Sequence, residues 1–368
     1  MIADGAAEAL VPSERERAHG HRSRRALSYA RSHLRRSALQ LVGYVVVAYL
    51  VLKLIPALEQ ALNSLQHAGW QWVLAAVVLE IFSEMGFVVS WGAIVDPENL
   101  LSRDGRGQRM DTRVAWAQLG GGTLVPGGSW GGVGVGAWIL HQFGMPTKLV
   151  AEREFNLSFL NTAIDALALV FVGLALAAGI LPGERDLSLT LLPAALAAAA
   201  MATVVLVAHR AAPGARRKPV KHARIAVVTA TLSEAVVNTQ RLLLHRGGSR
   251  AILGALAYLA LDVLVLWIAF LAVHAHPVPG FAVVVMAYII GALGGSIPLP
   301  AGIGTIGGMV GVFILYGVAR DPAIAAVLLY QAIGLIVPLV GGGIAYAVLR
   351  RRVEPLPAGA GVSSASNG

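Results

Sequence analysis

Pro126-Gly127-Gly128-Ser129-Trp130-Gly131-Gly132-Val133-Gly134-Val135-Gly136-Ala137-Trp138-Ile139-Leu140 breaks a hydrophobic chain with proline and glycine. The break recurs as Pro300-Ala301-Gly302-Ile303-Gly304-Thr305-Ile306-Gly307-Gly308-Met309-Val310-Gly311-Val312-Phe313-Ile314-Leu315. Laying Trp138-Ile139-Leu140 on Phe313-Ile314-Leu315 gives a spacing of 175 residues and places Gly132 on Gly307 and Gly136 on Gly311. Broken backbone at membrane depth is tolerated only where protein or a water-filled cavity covers it. Two such breaks in corresponding halves point to a transporter-like site at the bilayer midplane.

The surrounding composition sets the medium. Of 368 residues, 56% are hydrophobic and 13% charged, and mean hydropathy is +0.68. A soluble domain carries about 25% charged residues, so the chain reads as an all-α polytopic membrane protein. Six stretches reach the ~20 apolar residues a spanning helix needs: 39–58, 70–95, 155–181, 189–208, 251–273 and 323–349. The first is too long in its apolar run for a cleavable signal and has no small-residue cleavage site after it. With no cysteine, disulfides, thiolate nucleophiles and Cys-ligated metals are excluded.

The net charge of +9 invites a nucleic-acid reading, which its distribution opposes. Of 29 Lys and Arg residues, 26 fall in 1–38, 96–113, 145–155, 209–250 and 350–352. This is the positive-inside asymmetry of an inner-membrane protein with both termini cytoplasmic. The basic segments set topology and meet anionic lipid heads, and no nucleic-acid partner is expected.

Residues 1–38 form a basic cytoplasmic tail, 39–181 a first membrane repeat, 182–350 a second with a cytoplasmic linker at 209–250, and 351–368 a disordered tail. Within the linker, Ile225, Val228, Leu232, Val236 and Leu243 make a helical stripe, expected to lie at the membrane surface. The hairpin at 114–143 has a leading arm, Val114 to Leu124, too short to cross, so it is expected to be re-entrant from the cytoplasm. The hairpin at about 281–318 is expected to have longer arms and to enter from outside. Each half is then span, span, hairpin, span. Three full spans per half is an odd number, so the halves sit in opposite orientations as an inverted repeat of three spanning helices plus one re-entrant hairpin each.

Gly128, Gly132 and Gly136 recur at four-residue spacing and line one face, as do Gly304 with Gly308 and Gly307 with Gly311. Close helix packing through small residues is the plainer reading. The same packing would let a thin hairpin, entered at Pro126 or at Pro300-Ala301-Gly302, open and close a cavity. Ionisable residues within spans are costly and are functional candidates. These are Asp165, Asp262, and Glu80 with Glu84, four apart on one face. They read either as hydrogen-bonded structural groups or as the lining of a path for a cationic or polyhydroxyl headgroup or for protons. Asn156, Asn161, Thr162, Tyr330 and Gln331 are neutral hydrogen-bonding groups near the hairpin exits. The ten His residues show no metal spacing, no Ser/His/Asp arrangement stands out, and no cofactor is expected.

Pro300-Ala301-Gly302-Ile303-Gly304, followed by Ala325-Ala326-Val327-Leu328-Leu329-Tyr330 and Pro338, resembles the C-terminal signature of the flippase-like membrane domain of lysylphosphatidylglycerol synthases and their stand-alone relatives. The resemblance runs over about 39–350 and is more specific in the second half. It implies a membrane domain with two re-entrant hairpins that translocates lipids such as aminoacylated phospholipids or polyprenyl-linked sugars. The family's aminoacyl-transferase domain is not represented, so lipid synthesis is not expected. Where relatives carry an acid after the second glycine turn, this chain has Gly307. Where they carry Glu-Arg before the span-three acid, it reads Asn161-Thr162-Ala163-Ile164-Asp165, and Gln331 replaces the Arg after the tyrosine. The architecture transfers; an aminoacyl-phospholipid headgroup does not follow.

Two functions are therefore expected in competition. In the first, a non-enzymatic flippase moves a phospholipid or polyprenyl-linked lipid, with Asp165, Asp262, Glu80, Glu84, Asn161, Tyr330 and Gln331 contacting it. In the second, the protein is a membrane scaffold or regulatory subunit whose partner is a glycosyltransferase or other lipid-modifying enzyme.

Overall fold

Apolar helices in lipid gain little by hiding apolar surface from one another, so they associate where backbones can approach closely and polar groups can pair. In the computed structural model this rule sets the packing. Residues 68–99, 101, 110–124, 129–183, 186–210, 248–294 and 303–350 are described; the first expected span, the interfacial stripe, both tails, Pro126, Gly128, Pro300 and Gly302 lie outside them. The described residues form nine helices and no strand. They are α1 (Trp70–Val95), α2 (Met110–Leu124), α3 (Ser129–Gln142), α4 (Thr147–Ala177), α5 (Leu187–Arg210), α6 (Gly248–Ala272), α7 (Phe281–Gly294), α8 (Ile303–Leu315) and α9 (Arg320–Arg350).

Five of these, α1, α4, α5, α6 and α9, are long and apolar enough to cross a membrane. Each corresponds to an expected span. The protein is thus an all-helical, multi-pass membrane protein.

One boundary differs from expectation. α4 starts at Thr147 rather than 155. Pro146 precedes its first turn, and Lys148 pairs with Glu152 one turn on, at 3.9 Å on the exposed side. Hydropathy registers only the apolar part of a helix, so the polar opening turns were missed. In the second hairpin, α7 has 14 residues and α8 has 13, against 15 and 14 in α2 and α3, with residues 295–302 and 125–128 between them outside the described ones. Pro279 and Gly280 precede α7, and Gly317 at φ +79° turns the chain just beyond α8; these bound the outer ends of its arms. At ~1.5 Å per residue all four arms are near 20 Å, short of ~30 Å of hydrocarbon.

One close crossing is α1 on α6. A Cβ on Gly86 would stand 2.7 Å from Tyr258 N and 2.8 Å from Gly254 O, and one on Gly254 would stand 2.7 Å from Gly86 O and from Ser90 N. The Ser83 hydroxyl donates to the Tyr258 carbonyl at 2.9 Å beside this point. A second crossing joins α2 to α9, where a Cβ on Gly120 would meet Gly342 Cα at 2.8 Å.

Within the hairpins, α2 packs on α3 and α7 on α8. Gly132 lies against Gln118 O and the Gly122 backbone, and Gly308 against the Gly291 backbone. The repeat alignment had put Gly307 and Gly311 at this contact, but a Cβ on either would meet nothing within 4 Å. One residue along a helix is a turn of about 100°, enough to move the packing face from Gly307 to Gly308. Gly304, one turn before Gly308, is half-buried.

On the loop before α5, Asp186 Oδ1 accepts from Ser188 Oγ at 2.7 Å and Ser188 N at 2.8 Å. These bonds hold its carboxyl below the ordinary carboxylate range. This support is present above the unfolded-state pKa and fades as pH falls through the lowered one.

Candidate functional site

Asp262 sits on the buried face of α6, and four elements bring titratable groups to it. From α1 come Glu80 and Glu84, one turn apart, 4% and 3% exposed beside Asp262 at 6%. The Tyr288 hydroxyl of α7 donates to Asp262 Oδ2 at 2.6 Å, and the Tyr330 hydroxyl of α9 donates to the same oxygen at 3.2 Å. The two tyrosine rings meet edge to face with centroids 6.2 Å apart. Half-buried Asp165 of α4 is close enough to act on the charge of Asp262, as are Glu80 and Glu84. Glu80 also reaches α9, where a Cβ on Gly334 would stand 3.5 Å from its Oε1.

Among the described residues these acids have no counter-charge. Among the described residues the ion pairs are Lys148–Glu152 and Arg153–Glu98, and neither touches the cluster. Glu80 Oε2, Glu84 Oε2, Asp262 Oδ1 and Asn161 Oδ1 are buried and have no hydrogen-bond partner among the described residues. Buried polar atoms in a folded protein are nearly always paired, so four orphans in one neighbourhood make this cluster the candidate site. Among the described residues no three His, Asp or Glu side chains are arranged to hold a metal ion.

The expected site residues divide accordingly. Asp262, Glu80, Glu84, Asp165 and Tyr330 come together. Asn161 lies one turn before Asp165 on the same face of α4. Gln331 is half-buried and stands outside the hydrogen bonding around Asp262. Asn156 is buried, while Thr162 is exposed and bonds back to Ser158 O at 2.9 Å. Of the hairpin residues, Gly132 and Gly136 are packing positions.

A second polar knot was not foreseen. The Trp91 indole N–H of α1 donates to Gln118 Oε1 at 2.9 Å and to Glu154 Oε1 at 3.2 Å, and Gln118 Nε2 of α2 donates to Glu154 Oε2 of α4 at 2.8 Å. All three side chains are buried. Gly136 gives this carboxamide its room, since a Cβ there would stand 2.8 Å from Gln118 Cδ. The signal in the sequence was weak. Glu154 falls just before the apolar run that the expected span counted, and Gln118 is a lone amide in a glycine-rich arm. Tyr288 was missed for the same reason, as a single hydroxyl within an apolar arm.

Glu154→Leu removes the acceptor of Gln118 Nε2, and a buried orphan donor costs about 1–3 kcal/mol. The midpoint of thermal unfolding in detergent is expected to fall by several degrees, whereas Glu154→Gln, which keeps an acceptor, recovers most of it. Equal midpoints for the two variants would show that the knot contributes nothing.

The two knots use the same parts. The Trp91–Gln118–Glu154 knot joins the span before a hairpin, the leading arm and the span after it (α1, α2, α4). The Asp262–Tyr288–Tyr330 knot joins α6, α7 and α9. Each contains one carboxyl group. Among curated proteins none matches the chain. A family described as "Lysylphosphatidylglycerol synthase TM region" matches residues 40–342, most of the chain and all the elements just described up to the last turns of α9. The protein belongs to the lysylphosphatidylglycerol synthase transmembrane-region family.

Proposed function

We propose that this protein is a non-enzymatic lipid transporter that carries a phospholipid or polyprenyl-linked lipid between the leaflets of the cell membrane. Both termini lie in the cytoplasm, and the two halves form an inverted repeat with re-entrant hairpins. The observation that carries this reading is the crossed packing of the hairpins: α2 of the first lies on α9 of the second half, and α7 of the second lies on α4 of the first. A shift of either half must therefore carry the other's hairpin with it, the coupling that alternating access requires.

The remaining contacts support the repeat. Exchanging α1 with α6, α2–α3 with α7–α8 and α4 with α9 turns the α1–α2 contact into α6–α7, α3–α4 into α8–α9, α1–α4 into α6–α9, and α1–α9 into α6–α4. The α1–α6 crossing maps onto itself, with Gly86 and Gly254 changing places. Asp165, Asn161 and Gln331, all half-buried, are the groups a headgroup meets first. Glu80, Glu84, Asp262 and Tyr330 become reachable when a hairpin moves.

The test is a dithionite-quenching assay with the purified full-length protein in phosphatidylethanolamine/phosphatidylglycerol vesicles containing fluorescent lipids of several headgroups. At least one lipid class is expected to cross faster than in protein-free vesicles, and no acceleration for any class would overturn the proposal. The scaffold alternative draws on the first hairpin, whose polar groups at the knot are all satisfied within the protein. It predicts that Asp165→Asn with Asp262→Asn leaves the cellular phenotype intact and that a lipid-modifying enzyme co-purifies.

A further inference from the structure

We propose that Glu80, Glu84, Asp165 and Asp262 form a proton-exchange site, through which lipid movement draws on the transmembrane proton gradient. The coupling to lipid movement rests on the transport reading above; the exchange site itself does not. The groups facing Asp262 are Glu80 and Glu84 from α1, Asp165 from α4, Tyr288 from α7, Tyr330 from α9 and, on its own helix, Tyr258. All are acids or phenols, and among the described residues none is basic. Taking one carboxylate out of water costs several kcal/mol even after relaxation, so four together with no cation among the described residues need neutralising from outside. The described acids offer no geometry for a metal ion. A proton is the cation small enough to reach oxygens this deeply buried.

The orphan oxygens say where it goes. Asp262 Oδ2 already accepts two tyrosine hydroxyls, while Oδ1 is free, as are Glu80 Oε2 and Glu84 Oε2. The added proton bonds to one of these oxygens, turning a carboxylate into a carboxylic acid that can donate to its neighbour. No other bond changes. Because Asp262 holds Tyr288 on the second hairpin's leading arm and Tyr330 on α9, its charge state acts directly on the hydrogen bonds that anchor that hairpin. The Trp91–Gln118–Glu154 knot lacks this acidic surrounding: Glu154 is satisfied by Trp91 and Gln118 on both oxygens. Proton exchange therefore belongs to the cluster around Asp262 and not to Glu154.

Dicyclohexylcarbodiimide, which modifies protonated carboxyls in apolar surroundings, reports on this without any lipid substrate. The full-length protein in phosphatidylethanolamine/phosphatidylglycerol nanodiscs is treated from about pH 5 to about pH 9, and the adducts are located by peptide mass spectrometry. Adducts are expected on one or more of Glu80, Glu84 and Asp262, declining by up to about tenfold per pH unit above the midpoint, as a titrating acid does. Glu80→Gln, Glu84→Gln and Asp262→Asn are expected to remove their own adducts and change the midpoint at the others. No adduct in the cluster at any pH, with the protein still monodisperse, would overturn the proposal. So would labelling that does not vary with pH, because the acids would then be permanently neutral structural groups. In the vesicle assay, an imposed pH gradient is expected to change the lipid-crossing rate of the native protein but not of the triple variant; an equal response in both overturns the coupling. Titrating adducts without lipid movement in any vesicle would instead sink the transport reading and leave the exchange site standing.

Discussion

Gly254→Ala is expected to lower the melting midpoint of the protein by several degrees, and Gly254→Leu to abolish recovery of monodisperse protein. The added Cβ would lie 2.7 Å from both Gly86 O and Ser90 N and 3.1 Å from Ser90 Cβ. Backbone atoms cannot rotate aside as a side-chain end can, so α1 and α6 must separate along their length. Overpacking by a single methyl costs about 1–3 kcal/mol. Here the separation also stretches the bond from Ser83 to Tyr258 O and disturbs the spacing of Glu80 and Glu84 from Asp262. Gly86→Ala should behave alike, because the crossing is reciprocal. Gly307→Ala is the control: it meets open space and should raise the midpoint slightly rather than lower it, since an exposed glycine in a helix gains about 0.5–1 kcal/mol as alanine. Tryptophan-fluorescence melts of the three alanine variants in one detergent check this. A Gly254→Ala melt that matches the native one would show that the close approach of α1 and α6 contributes nothing to stability.

Trp91→Ala is expected to be the other severe change. Trp91 has no exposure and heads the fully buried side chains by size. Deleting so large a side chain typically costs about 3–5 kcal/mol. Lipid tails do not change this, because the void inside the bundle forfeits dispersion contacts whatever the outer solvent. The substitution also takes the indole donor from Gln118 Oε1 and Glu154 Oε1. Trp91→Phe keeps most of the packing and loses only the donor, so its cost should be nearer the ~1 kcal/mol of a single hydrogen bond. Thermal unfolding should therefore rank the native protein, then Trp91→Phe, then Trp91→Ala. A Phe variant as damaged as the Ala variant would mean that the hydrogen-bonded knot, rather than packing, holds the first hairpin's leading arm.

The residues legible in sequence and those that were not differ in one physical respect. An acid in an apolar run is visible alone, because its cost inside a bilayer depends on its own charge; this is why Glu80, Glu84, Asp165 and Asp262 could be singled out. A hydrogen-bonded knot has no such mark. Trp91, Gln118 and Glu154 are each ordinary in their own helices, and only the packing of α1, α2 and α4 brings them within 3.2 Å.

By itself the sequence determined the medium, the helical class, the positions of the five described spans and the two hairpin breaks. These follow from hydropathy and from proline and glycine, properties that act over one or two turns of chain. Only the tertiary structure decided that Gly308 rather than Gly307 carries the α7–α8 contact, that α2 lies on α9 and α7 on α4, and that four acids from three helices converge with two tyrosines and no cation among the described residues. Those outcomes depend on helix rotation and crossing point, which close backbone approach sets between segments far apart in the chain.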